Sequence, residues 1–140
     1  MTTKIDKKTE AKKVKSLAKF LKVSKGEIVS NGDYFSCGRE DYLVLTDEEA
    51  DEKTEDYISE SVWAFRPSFL LAHLPDGINA RSIELIQKDC ESANAPLRAM
   101  IKDFDYFVED AVKADGRGHF IAGYDFEENE QDGFYIYRVN

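Results

Sequence analysis

The spacing of apolar residues changes twice along this chain, and these changes restrict the folds that it can adopt. Short β-prone runs with turn residues between them occupy residues 26–46, helical spacing follows as far as Lys113, and β-prone sequence returns near the end. Strands and helices segregated in this way predict an α+β fold rather than repeated βαβ units. We therefore expect a single compact domain with an antiparallel sheet, formed by residues 27–45 and 119–139, that several helices cover.

Turn signals divide the β-prone regions into strands. Asn31-Gly32 is the strongest hairpin signal in the chain, and Gly38 marks a second turn soon after it. Near the end of the chain, residues 119–124 and 134–139 contain the aromatic and β-branched side chains that are typical of strands. We expect these two runs to form a hairpin, with residues 125–133 as a long acidic loop.

Capping signals place the helices between these two regions. Thr46 and Glu49 have the spacing of a capping box, so a helix is predicted to begin there and to extend to about Phe65, before Pro67. Asp115-Gly116 is the predicted end of the last helix. Further helices are predicted at residues 80–91, 95–102 and 103–113. On the predicted 46–65 helix, the side chains expected to be buried are Ala50, Thr54, Tyr57, Ile58, Ser61 and Phe65.

Charge divides the chain into a basic head and an acidic body. Nine of the nineteen basic residues lie in the first 25 positions, and the whole chain nevertheless carries a net charge of −9. We expect residues 1–25 to form a lysine-rich segment, disordered over 1–8 and helical over 9–23, and residues 26–140 to form the acidic α+β domain. Such asymmetry indicates interaction with charged macromolecules but does not name the partner.

Two helix faces are candidate binding surfaces. The outer face of the predicted 46–65 helix is anionic and consists of Glu48, Glu49, Glu52, Glu55, Asp56 and Glu60. The N-terminal helix carries the basic candidates Lys12, Lys13, Lys15, Lys19 and Lys22. This basic helix could contact nucleic acid phosphate or an acidic partner, or it could pack on the chain's own acidic body.

The candidate catalytic residues form less specific sequence patterns than the two charged helix faces do. Asp115, Arg117 and His119 combine an acid, a cation between two glycines and an imidazole, which could bind an anion or serve as an acid and base. A helix end that leads into a strand explains the same glycines without any catalytic role. Cys37 could act as a nucleophile with His119 as base only if the strands that carry them adjoin.

Metal and cofactor sites are not predicted. The acidic residues Asp125, Glu127 and Glu128 could ligate a hard cation, but they lack the EF-hand order of ligands and glycine. His73 has no second histidine or cysteine at metal-binding spacing, so we expect it to be a partly buried packing residue rather than a ligand. The sequence contains no phosphate-binding loop or dinucleotide glycine motif, and no cofactor is expected.

The apolar content and the number of cysteines indicate the cellular compartment of the protein. No run of about 18 apolar residues and no secretory signal is present, so neither membrane contact nor secretion is expected. Two cysteines, Cys37 and Cys90, are too few for a disulfide-stapled secreted domain, and we expect both to be reduced. These features predict a cytoplasmic protein.

Several stretches resemble a group of small proteins that tailed bacteriophages encode. The stretches are Tyr42 to Glu52, Ser61 to Phe65, Asp115 to Asp125 and Tyr135 to Arg138, and the resemblance covers about residues 40–140. No activity is established for that group. The resemblance implies a phage context, the cytoplasm of a host cell and an accessory role, and it supplies no catalytic residues.

Charge and resemblance together favour a non-enzymatic interaction protein. In this hypothesis the acidic helix face binds a basic, nucleic-acid-handling host protein, as a counter-defence factor or nucleic-acid mimic would. The first alternative is a nucleic-acid-binding protein that acts through its basic N-terminal segment. The second is a small enzyme that uses the turn from Asp115 to His119.

Overall fold

The computed structural model describes residues 7–140 and has the α+β fold that the sequence predicts. Its helices within that range are α1 (Lys7–Leu21), α2 (Asp47–Glu60), α3 (Pro67–Leu71), α4 (Ala80–Gln87), α5 (Asn94–Met100), α6 (Phe104–Asp115) and α7 (Arg117–Ile121). Its strands are β1 (Ile28–Asn31), β2 (Tyr34–Cys37), β3 (Glu40–Leu45), β4 (Asn129–Gln131) and β5 (Phe134–Arg138). No helix among the described residues is long and apolar enough to cross a membrane.

The five strands form one antiparallel sheet in the order β1-β2-β3-β5-β4. Two-residue turns join β1 to β2, β2 to β3 and β4 to β5, and each turn contains a glycine with positive φ. The central pairing of β3 with β5 joins distant parts of the chain, with Val44 opposite Ile136. Because this pairing brings the end of the chain beside residues 40–45, it fixes the middle of the sheet.

The described residues fall into two compact units, and the boundary on one side lies within α2. The first unit comprises residues 7–53 and 117–140 and contains the whole sheet. Buried side chains lie on both faces of that sheet. One group consists of Leu17, Ala18, Ile28, Phe35, Tyr42, Val44 and Ile136, and the other of Leu43, Ala50, Ile121, Ala122 and Tyr137. The apolar stripe of α1 is thus part of this core.

The second unit, Thr54–Gly116, is helical. The Phe107 ring is fully buried and contacts the rings of Phe65, Phe69 and His73 with centroid distances of 5.0 to 5.4 Å. Nε2 of the buried His73 lies 2.8 Å from Oδ2 of Asp110. His73 is therefore a packing residue, as predicted, but it is more deeply buried than expected and one of its ring nitrogens has a partner.

Helix α1 begins and ends two residues earlier than predicted. The predicted helix over residues 9–23 is α1, which begins at Lys7 and ends at Leu21. Residues 7 and 8 are therefore helical although they were expected to be disordered, whereas residues 1–6 lie outside the described range. A positive φ of 60° at Lys22 ends the helix.

Helix α2 ends at Glu60 rather than near Phe65 because a distant side chain takes over its last hydrogen bonds. The Asn94 amide donates to the Glu60 carbonyl oxygen at 2.5 Å, and its oxygen accepts from the Trp63 amide at 2.9 Å. Residues Val62–Ala64 then form a 3₁₀ turn. Within α2, Ala50, Thr54 and Ile58 are buried as predicted, but Tyr57 is exposed.

The prediction of a strand over residues 119–124 is wrong. These residues lie in and after the helix α7, which follows the positive-φ glycine that ends α6. Ile121 and Ala122 pack with Leu43, Ala50 and Tyr137 on one face of the sheet, and β4 occupies the position beside β5 instead. Packing on the sheet has therefore overridden the local β propensity of this run.

Candidate acidic interaction surface

Arg117 is the residue around which the acidic groups of the first unit assemble. Its Nε donates to Oε1 of Glu128 at 2.8 Å, and its Nη1 donates to Oδ1 of Asp47 at 2.8 Å and of Asp51 at 2.9 Å. The guanidinium also lies 4.7 Å from the centre of the Tyr135 ring. Only 11% of the Arg117 side chain is exposed. One cation thus joins the start of α2 to the segment before β4.

Local sequence explains how these groups meet. The capping box between Thr46 and Glu49 begins α2, and Asp47 and Asp51 follow one turn apart on the same side of the helix. On the other side of Arg117, the absence of a side chain on Gly118 lets the backbone of residues 126–128 approach α7 closely. A Cβ at Gly118 would lie 2.7 Å from the carbonyl oxygen of Phe126.

Arg117 is a cation whose charge is stabilised by hydrogen bonds to these carboxylates. Burial of the guanidinium opposes its charge, but the hydrogen bonds to Glu128 and Asp47 outweigh burial and raise the Arg117 pKa above its usual value. Burial, followed by a hydrogen bond to Glu128, raises the pKa of the neighbouring Tyr137 phenol. Arg117 is therefore a fixed cation that positions carboxylates and is unsuited to proton transfer.

The predicted group of Asp115, Arg117 and His119 has separate surroundings for each member. Asp115 is the exposed last residue of α6, and Arg117 binds the carboxylates of Asp47, Asp51 and Glu128. His119 is exposed, and its ring contacts those of Phe120 and Phe126. The hypothesis that pairs Cys37 with His119 required adjoining strands, and His119 lies on a helix instead.

An exposed row of carboxylates runs along α2. Glu48, Glu52, Asp56 and Glu60 recur every four residues, so they share one side of the helix, and Glu55 lies beside them. We call these four residues the acidic row. None of the four forms an ion pair within residues 7–140. Glu49 differs from them because it caps α2 and binds the buried Lys13 at 2.8 Å.

The acidic row is unfavourable for the helix that carries it. Like charges four residues apart destabilise an isolated helix by about 0.2–0.5 kcal/mol per pair. The last turn of α2 has no basic residue, although the negative end of the helix dipole favours one there. Glu48 lies in the first turn, where the dipole favours a carboxylate, but the four-residue spacing of the row and the position of Glu60 do not stabilise α2.

A second group of carboxylates lies between α7 and β5. We call residues 125–130 the acidic segment, which contains Asp125, Glu127, Glu128 and Glu130, all exposed. Oδ1 of Asp125 accepts from the Glu127 amide at 3.1 Å, and Glu128 binds Arg117 and Tyr137. No group of three or more His, Cys, Asp or Glu residues within the described part of the chain is arranged to hold a metal ion.

The predicted basic residues of α1 have two kinds of surroundings. Lys13 is buried against Glu49, and Lys19 lies 3.3 Å from Asp132, so both contact carboxylates of the same unit. Lys12, Lys15 and Lys22 are exposed. On α1 itself, Lys12, Lys15 and Lys19 share the side opposite the buried Leu17.

Comparison with known proteins adds no constraint on this site. No family model, curated protein or solved structure matches the chain. Periodicity in the sequence indicates the acidic row, but no local pattern shows that Arg117 joins Asp47 and Asp51 to the acidic segment, because these two carboxylates lie 70 and 66 residues away from it.

Proposed function

We propose that this protein is a non-enzymatic acidic interaction protein that binds a basic, nucleic-acid-handling host protein. In a phage context it would act as an accessory factor of the counter-defence or nucleic-acid-mimic type. One observation carries the proposal: Arg117 joins the start of α2 to the acidic segment, so that carboxylates from two distant parts of the chain lie together.

The spacing of the acidic row supports this proposal. Residues four apart on a helix lie about 6 Å apart along its axis, so the row presents a line of negative charge at regular intervals. A basic groove that binds phosphates would be attracted to such a line, and electrostatic complementarity would accelerate the encounter. Glu60, in the last turn of α2, also opposes the helix dipole, which is consistent with a role in binding rather than in stability.

Charge reversal with a matched control tests the proposal. The triple substitution Glu48→Lys, Glu52→Lys and Asp56→Lys removes most of the acidic row. The control reverses the exposed residues Glu84, Asp105 and Glu109 of α4 and α6, and so changes the net charge equally. Binding of fluorescent octalysine and octaarginine is measured by anisotropy at rising salt.

Loss of peptide binding in the acidic-row variant, with binding kept in the control, would support the proposal. Screening over about 8 Å at physiological ionic strength should also weaken the wild-type complex as salt increases. Equal losses in the two variants would instead mean that only the net charge matters, and the proposed surface would be abandoned.

A nucleic-acid-binding role through α1 is the second candidate. It is favoured by the outward row of Lys12, Lys15 and Lys19, which could contact a phosphate backbone. Against it, Lys19 already contacts Asp132, and Lys13 is buried. If the protein binds labelled DNA or RNA at physiological salt and Lys12→Glu with Lys15→Glu abolishes this binding, α1 is the functional surface.

A further inference from the structure

Phe126 is unusual in both its exposure and its backbone conformation. The residue is 59% exposed, and its φ of 61° lies in the left-handed region. A bulky residue is a genuine outlier in that region, where glycine or asparagine is preferred. Strained backbone of this kind is concentrated at ligand-binding sites, so the strain motivates a search for a ligand.

The neighbouring residues hold this conformation in place. The Phe126 amide donates to the Ala122 carbonyl oxygen at 2.7 Å, and the Asp125 carboxylate accepts from the amide of Glu127. The backbone from Phe126 to Glu128 also packs directly on Gly118. These contacts hold the backbone of residue 126, so the ring is presented outward from an anchored position.

The surroundings of the ring are aromatic and anionic. Tyr124 is 57% exposed, and the guanidinium of Arg138 lies over its ring at 3.5 Å. Asp125 and Glu127 flank Phe126 in the acidic segment, and the His119 ring lies 5.7 Å from it. One guanidinium therefore already lies on an aromatic ring just before the acidic segment, and Phe126 offers a second exposed ring between two exposed carboxylates.

We propose that Phe126, with the carboxylates of Asp125 and Glu127, binds an arginine side chain of the basic partner. The proposal rests on the proposed function and names the chemistry that the acidic segment recognises. Arginine fits better than lysine because its planar, weakly hydrated guanidinium can stack on the ring while its N–H groups pair with a carboxylate. The acidic row would supply attraction to any cation, and Phe126 would supply the preference for arginine.

Two peptides of equal charge separate these contributions. Octaarginine and octalysine are titrated into the full chain, and the ratio of their dissociation constants is measured. A cation–π contact at an exposed site predicts that the wild-type protein binds octaarginine about threefold to fivefold more tightly than the Phe126→Leu variant does, with little change for octalysine. The control is Val29→Ala, which truncates an exposed apolar side chain elsewhere, on β1, and should leave both affinities unchanged.

Phe126→Gly distinguishes a binding role from a structural one. Glycine accepts a φ of 61° without strain, so this variant should melt no lower than the wild type while it loses the arginine preference. A melting temperature several degrees lower, with binding unchanged, would assign the ring to the fold and overturn the proposal.

The outcomes also separate this inference from the proposed function. If both peptides bind, charge reversal of the acidic row abolishes binding and Phe126→Leu changes nothing, the inference fails and the proposed function stands. If neither peptide binds the wild-type protein, both fail.

Discussion

Nζ of Lys13 lies 2.8 Å from Oε1 of Glu49, and the same carboxylate oxygen accepts the Thr46 amide at 2.9 Å. The lysine side chain is only 3% exposed, whereas the glutamate side chain is 42% exposed. One oxygen thus stabilises the first turn of α2 and neutralises a buried cation from α1. The charge pattern assigned these two residues to opposite binding surfaces, but each has the other as its partner.

The unequal burial of this pair predicts unequal costs when either member is replaced. Glu49→Gln keeps the capping geometry but leaves a buried cation without its counter-charge, so it should cost about 1–3 kcal/mol of unfolding free energy. Lys13→Met fills the same apolar space and leaves a carboxylate that water can solvate, so it should cost less than about 1 kcal/mol. Urea titration measures both, and an equal or larger loss for Lys13→Met would contradict this account.

The same pair predicts how stability responds to acid. Burial alone would raise the Glu49 pKa, but the hydrogen bonds to Lys13 and the Thr46 amide outweigh it and lower the pKa below its ordinary value of 4.5. A carboxyl with a lowered folded-state pKa contributes stability above its unfolded pKa and loses it as the pH falls through the folded value. The stability difference between wild type and Glu49→Gln should therefore be constant from pH 7 to about 5 and shrink below pH 4.5. A difference that grows on acidification would refute this linkage.

Local signals in the sequence were sufficient for some elements of this fold. The hairpin predicted from Asn31-Gly32, the capping box from Thr46 to Glu49 and the end of α6 at Gly116 each depend on a few adjacent residues, and all three are confirmed. The turn of the hairpin lies one residue later than predicted, at Gly32 and Asp33, because Asn31 pairs with Tyr34 at the end of β1. The end of α2 depends on Asn94, more than thirty residues away, so no local pattern could have placed it. Residues 119–124 are β-prone, yet Ile121 packs on the sheet from a helix.

The candidate site shows the same division between local and distant information. Periodicity alone placed Glu48, Glu52 and Asp56 on one exposed side of α2. It also assigned Glu49 to that face, because nothing in the local sequence shows that Lys13 is buried against it. A charged residue next to two glycines suggested a site at Arg117, but only the folded chain supplies its carboxylates.

Close backbone packing at Gly118 predicts a sharp difference between two glycine substitutions. A Cβ at Gly118 would lie 2.7 to 2.9 Å from backbone atoms of residues 126–128, which cannot move away as a flexible side chain could. Gly118→Ala should therefore cost about 1–3 kcal/mol or more, although alanine is the better helix former. At Gly123 the nearest such atom is 3.8 Å away, so Gly123→Ala should stay within about 0.5 kcal/mol of the wild type. Thermal and urea unfolding of the two variants would show similar losses if the approach at Gly118 were loose.

Arg117 predicts a loss of stability that salt partly restores. Arg117→Met removes the cation that holds Asp47, Asp51 and Glu128 together and leaves their carboxylates to repel one another, so it should cost about 2 kcal/mol at low salt. Arg117→Lys should cost less than Arg117→Met, because the ammonium keeps the positive charge. It should still cost some stability, because one ammonium cannot place its donors as the guanidinium does.

Salt distinguishes repulsion from lost packing in the Arg117→Met variant. Carboxylates that one guanidinium brings together lie well within the screening length of about 10 Å at 0.1 M salt, so their repulsion should weaken as salt approaches 1 M, where that length is about 3 Å. The exposed Arg39 provides the control, since Arg39→Met makes the same charge change and should stay within about 0.5 kcal/mol at every salt concentration. Urea titrations at low and high salt measure these differences. If the Arg117→Met loss is independent of salt, it comes from lost contact of the guanidinium with the Tyr135 ring rather than from repulsion between the carboxylates.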